Sequence, residues 1–262
     1  MAGMKARRDP KRKRDQSARA SPARKLWNRG PTSPMPCWMN PPPGTRLRAP
    51  RRTARLAAAL LLWAAHCAAQ PAGDSPGRTI VFFGNSLTAG YGLADPAIQS
   101  FPALIQRKID AQHLRWRVVN AGLSGETSAG GLRRVDWVLR QGADAFVLEL
   151  GGNDGLRGIA PEVTRQNLQA IIDRVRSAYP KARVILLGMR MPASMGPEYS
   201  AAFQSVYPEL ARKNGLTLVP FLLEGVAGKP ELNQPDGIHP TAAGDLIVAD
   251  LLWDTLLPIL RN

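Results

Sequence analysis

Cysteine and histidine are scarce in this 262-residue chain, with two and three copies. Both cysteines, Cys37 and Cys67, precede Ala69, so the chain beyond offers neither a disulfide framework nor a cysteine-ligated metal site. His66, His113 and His239 are the whole histidine set, which excludes a multi-histidine metal site. No clustered Asp-x-Asp pattern points to a carboxylate site for a divalent ion. The P-loop pattern G-x-x-x-x-G-K and the dinucleotide pattern G-x-G-x-x-G are absent. So is the G-x-S-x-G nucleophile elbow, because position 88 is Thr. No internal repeat is visible. Acidic residues are missing from one region only. Residues 1–55 carry 16 Lys and Arg but just Asp9 and Asp15, which leaves 19 basic and 18 acidic residues for 56–262. The formal net charge of +15 therefore belongs to a head, and nucleic-acid binding is not expected of the body.

The head, residues 1–55, reads as Pro/Arg-rich and disordered, or as an over-extended start followed by a signal n-region. Met35 and Met39 offer in-frame starts alternative to Met1. Residues 56–69 form an apolar run behind Arg51, Arg52 and Arg55. This run is shorter than the roughly 20 residues that span a bilayer, but it suits the h-region of a secretory signal. Cys67, Ala68 and Ala69 supply small residues for a cut before Gln70. A periplasmic or secreted protein with no stable membrane anchor is expected. A lipoprotein signal at Cys67 fits poorly because His66 precedes it, and Arg51-Arg52 matches a twin-arginine signal only weakly. Residues 70–77 read as a linker and 78–262 as one domain, within the usual domain size.

Periodicity in the body predicts strands at 79–84, 116–121, 145–150, 183–188 and 216–220. It predicts helices at 96–112, 126–140, 161–179, 199–214 and 242–257. Strict alternation of the two implies an α/β fold with a parallel sheet covered on both faces. Ligands in such folds sit at the carboxyl ends of the strands. Four polar, glycine-containing segments fall there or just before the last helix. They are Gly84 to Gly90, Asn120 to Thr127, Gly151 to Gly155 and Asp236 to Pro240. Together they suit acyl transfer. Ser86 is the candidate nucleophile and His239 its base, and Asp236 could hold the His239 tautomer. The backbone N–H groups of Ser86 and Gly125 and the Asn153 amide are candidate oxyanion donors. His113 reads as a surface residue.

These four blocks resemble the GDSL, or SGNH, hydrolases, whose Ser, Gly, Asn and His fall here at Ser86, Gly125, Asn153 and His239. The stretch Glu149 to Gly158, with Arg190 to Ala193 and Asp236 to Pro240, resembles the bacterial acyl-CoA thioesterase I, lysophospholipase L1 and arylesterase branch. The resemblance implies a three-layer α/β/α, flavodoxin-like fold with a five-stranded parallel sheet of order 2-1-3-4-5. It implies a triad acid at Asp236, no metal, no cofactor and a small-molecule acyl ester or thioester as substrate. A monomer is expected. It further implies that the loop Asp154 to Ile159 helps cover the acyl chain. Leu156, Ile159, Met191, Pro192 and Met195 are candidate apolar contacts, with Asp154 beside them. One departure stands out. The Gly-Asp-Ser-Leu motif that names the family has Asn85 in place of its Asp, which alters the hydrogen bonding around the serine turn. A polysaccharide acetylesterase and a non-catalytic binding module on the same fold remain alternatives.

Overall fold

The computed structural model describes residues 77–262. The expected head and signal segment, and most of the linker, lie outside the described residues. Five strands form one parallel sheet: β1 (Arg78–Gly84), β2 (Trp116–Gly122), β3 (Ala145–Glu149), β4 (Arg183–Leu187) and β5 (Thr217–Val219). Their order is 2-1-3-4-5, with β1 paired to β2 from Arg78 opposite Trp116 to Gly84 opposite Gly122. The chain reverses direction across the sheet between β1 and β3, which leaves a crevice beyond their carboxyl ends.

Every residue of β3 is buried, and so is β1 from Thr79 onward. Both read as unbroken apolar runs because helices cover both faces. Helices α3 (Phe101–Ala111) and α8 (Ala242–Arg261) pack together on one face. On the other, α4 (Ser128–Leu139) packs on α6 (Pro161–Ala178), and α6 on α7 (Pro197–Asn214). Phe82 meets Phe101 edge-on at 5.8 Å between ring centres, and Phe83 meets Phe146 at 5.4 Å. Each such fully buried ring contributes roughly 1.5–3 kcal/mol by leaving water.

Four local differences from the expected elements have physical causes. The helix expected over 96–112 is two, α2 (Pro96–Gln99) and α3, split at Ser100 with φ −64° and ψ 148°. A continuous helix would drive the Pro102 ring into the preceding turn, whereas a restarted helix accepts Pro in its first turn. Helix α4 begins at Ser128 rather than Glu126, because Thr127 is extended and its side chain caps Gly130 N–H. Helix α8 continues past Leu257 to Arg261 despite Pro258, and Leu260 is buried. Its carbonyl accepts the indole N–H of Trp116 at 2.8 Å. Two of the polar strand-end segments contain one-turn helices, α1 (Ser86–Ala89) and α5 (Gly152–Leu156).

Candidate active site

Strand β1 ends at Gly84, and the chain turns at once into α1, so Ser86 stands at the carboxyl edge of a central strand. The Asn85 side chain caps this short helix by accepting Leu87 N–H at 2.9 Å. Gly84 is required for the turn, since a Cβ there would collide with Thr88 Oγ1 and Glu149 Oε2.

His239 arrives from the loop before α8. Asp236 folds that loop by accepting the backbone N–H groups of Ile238 at 2.9 Å and His239 at 3.0 Å on Oδ1, an Asx turn. Its Oδ2 lies 2.6 Å from His239 Nδ1. His239 Nε2 lies 2.7 Å from Ser86 Oγ. An Nδ1–H held by the carboxylate leaves the Nε2 lone pair facing the serine hydroxyl. Burial pushes the Asp236 carboxyl up, but the two backbone bonds and the His239 ring outweigh it and hold its pKa at about 2. The carboxylate is therefore ionised wherever the imidazole could need it. The Tyr91 ring lies against His239, 4.8 Å between centres.

Asn153, in α5, donates from Nδ2 to the Glu126 carbonyl at 3.0 Å. That bond fixes the amide and leaves its second N–H to the cavity, whose wall includes Asn153. Gly125 has φ +79°, a conformation that favours glycine, and its carbonyl accepts Arg157 Nη2 at 3.1 Å. Its loop is joined to the end of β1 by Leu123 N–H donating to the Gly84 carbonyl at 3.0 Å.

The cavity holds about 500 Å³. Ser86, Asn153 and His239 stand on its wall; Asp236 is behind His239, and Gly125 is not on the wall. Leu156, Met191 and Pro192 line it as expected. Asp154 and Ile159 do not. The Asp154 side chain is fully buried and points away, accepting Ser128 N–H at 2.8 Å and the Ser128 hydroxyl at the start of α4. A carboxylate is favoured there because it meets the positive end of a helix. Ile159 instead offers its carbonyl to Tyr199 Oη at 2.7 Å, which ties the loop down. Met195 also lies off the cavity. Met189, Phe221, Leu223 and Ile238 add to the apolar wall, and sequence reasoning missed them. Phe221 to Leu223 follow β5 directly, so the strand-end rule that found Ser86 could have found them too. Among the described residues no group of three or more His, Cys, Asp and Glu could hold a metal ion.

A family model of GDSL-like lipases and acylhydrolases matches residues 82–247. The chain belongs to this family. It is 42% identical to Esterase TesA of Pseudomonas aeruginosa over 184 residues, which cover 70% of this chain and 90% of that one. It is 40% identical to Thioesterase 1/protease 1/lysophospholipase L1 of Escherichia coli over 185 residues, 70% of this chain and 86% of that one. Among solved structures it is similar to the psychrotrophic esterase EstA from Pseudoalteromonas sp. inhibited by monoethylphosphonate. The TM-score is 0.66 and the identity 34%, over 71% of this chain and 100% of that one. In this GDSL-family chain Ser86, Asn153 and His239 meet on one cavity wall, the first two just beyond the ends of β1 and β3 and the third in the loop before α8.

Proposed function

We propose that this protein hydrolyses acyl esters or thioesters through a covalent acyl-serine on Ser86. Its class is plain from its relatives: it is a hydrolase acting on ester bonds. The observation that carries the mechanism is the unbroken hydrogen-bond chain Ser86–His239–Asp236, at 2.7 and 2.6 Å. His239 Nε2 takes the hydroxyl proton as Ser86 Oγ bonds to the acyl carbon. The imidazolium, stabilised by ionised Asp236, returns that proton to the departing alcohol or thiol. Water then attacks the acyl-serine by the same base, which releases the acid and restores the hydroxyl. The Asn153 amide, the Ser86 N–H and the Gly125 N–H are the donors we assign to the oxyanion.

Leu156, Met191, Pro192, Phe221 and Leu223 make an apolar wall beside the serine, and two nearby methionines suit an adaptable acyl groove. A cavity of about 500 Å³ has room for an acyl chain well beyond acetyl, which favours this reading over a polysaccharide acetylesterase. We place the protein outside the cytoplasm on the strength of the cationic flank, apolar run and small-residue exit at 51–69. Within the described residues no helix is long and apolar enough to cross a membrane.

The test is covalent labelling combined with kinetics. An organophosphonate should modify Ser86 alone, and Ser86→Ala should lower kcat/KM on a p-nitrophenyl acyl ester by at least ~10³-fold. Unchanged turnover in Ser86→Ala would end the acyl-serine mechanism.

A further inference from the structure

The scheme above makes no use of Glu149, the last residue of β3, which is 1% exposed and lies directly under the serine turn. Its carboxylate accepts three hydrogen bonds from that turn. Asn85 N–H reaches Oε2 at 3.0 Å, the Thr88 hydroxyl reaches Oε2 at 2.8 Å, and the Asn85 amide Nδ2 reaches Oε1 at 2.7 Å. The other end of the Asn85 amide, Oδ1, accepts Leu87 N–H and lies 3.4 Å from Ser86 Oγ. An amide has two unlike ends, and here both partners demand the same orientation. Turning it over would set oxygen against the Glu149 carboxylate and N–H against Leu87 N–H. The residue preceding Ser86 is thus oriented by the chemistry of its neighbours as well as by their shape.

We infer that Glu149 and Asn85 form a carboxylate–amide positioning pair that sets the start of α1 and the placement of Ser86. This inference rests on Ser86 being the nucleophile. It also gives the departure at position 85 a meaning. An aspartate there would bring two carboxylate oxygens to hydrogen-bond distance, and like charges that close must hold a proton between them. Asn85 supplies the N–H permanently, so no shared proton is needed. Burial pushes Glu149 up to about 7, against the hydrogen bonds from Asn85 and Thr88 that favour its anion. Among the described residues no cation pairs with it. Tyr207 from α7 feels its charge, and burial with that charge raises the tyrosine pKa and keeps it neutral.

The test exchanges the two chemistries in the full chain. In Glu149→Gln an amide meets an amide, and one N–H must face another. We expect kcat on a p-nitrophenyl ester to fall at least ~10-fold with KM within about twofold, since small misplacements of a nucleophile are costly. Tm should fall as well. In Asn85→Asp/Glu149→Gln the complementary pair is rebuilt the other way round, and both kcat and Tm should recover most of the loss. Asn85→Asp alone should lose kcat as pH rises and the shared proton leaves, a limb that wild type and the double variant lack. Glu149→Gln with wild-type kcat, or a folded double variant no better than Glu149→Gln, would overturn the pair. If Glu149→Gln does not fold, the double variant decides alone: folded and active upholds the pair, unfolded or inactive overturns it. Failure of the esterase reading would look different. Wild type would then turn over no ester, while the Tm exchange would still report on the pair.

Discussion

Ser86 follows a strand buried on both sides, whereas His239 rides on a loop whose residues 235–238 are exposed. The serine side is held by long-range bonds to a buried carboxylate, with Asn85 and Thr88 both fastened to Glu149 some sixty positions away. The histidine side is held mostly by itself. Asp236 bonds within its own turn, Gln234 N–H donates to the His239 carbonyl at 2.7 Å, and Asn233 bridges Pro240. Only a few bonds fasten this loop to the rest. Gln234 Nε2 donates to the Tyr91 carbonyl at 2.7 Å, and the first turn of α8 buries Asp245 against the start of α3. The proposed mechanism therefore joins a serine preset by the core to a histidine preset by a local turn. What the tertiary structure must secure is the approach of one to the other.

That contrast can be broken at three points. The largest effect is expected on the core-held side. Asn153→Ala removes an amide already fixed by the Glu126 carbonyl, so kcat should fall on the order of 10²–10³-fold with little change in Tm. Steady-state kinetics with a calorimetric Tm checks this, and a loss carried by KM alone would remove Asn153 from the oxyanion site. A smaller effect is expected where the loop is fastened. Gln234→Ala deletes the side-chain bonds to the Tyr91 and Pro240 carbonyls but leaves the Asp236–His239 turn whole, and should cost about 1 kcal/mol, a several-fold loss in kcat. The variant's Asp236→Asn cycle would sharpen it: near-additive losses mean the turn and the fastening act separately.

The third point concerns stability rather than rate. Burial raises the Asp245 carboxyl to about 7, only partly offset by the N–H of Phe101. A carboxyl whose pKa is higher folded than unfolded favours folding below its ordinary value near 3.8 and loses that contribution as pH climbs to about 7. Asp245→Asn keeps an acceptor for Phe101 and removes the buried charge. It should leave stability nearly unchanged at pH 4 and raise it by on the order of 2 kcal/mol at pH 8. Denaturant melts at the two pH values test this, and an equal shift at both would mean that charge is not the cause.

Much of this was legible in the chain. The apolar runs at 79–84 and 145–150 marked central strands because residues covered on both faces need no polar alternation. Ser86, Gly125, Asn153 and Asp236-x-x-His239 could be named as candidates because each lies at a strand end or in a turn with its own local signature. Asp154 and Ile159 were misplaced because a loop sequence does not say which way a side chain faces. Asp154 turns inward to Ser128, a partner 26 positions away that only folding supplies. Phe221 and Leu223 went unnoticed because an apolar residue after a short edge strand reads the same whether it lines core or cavity. Glu149 read as part of the 145–150 strand and as the start of the family-like stretch, with no role assigned to it in the site.

By itself, then, the sequence determined the element order, the parallel sheet and the local turn that presents His239 to Asp236, since these depend on periodicity and on bonds between near neighbours. Only the tertiary structure decided that Nε2 of His239 comes within 2.7 Å of Ser86 Oγ across 153 positions. It alone decided that the buried Glu149 carboxylate stands beneath the serine turn and accepts hydrogen bonds from Asn85 and Thr88. Contacts of that kind depend on which strands lie side by side, and strand order is set by the packing of the whole domain.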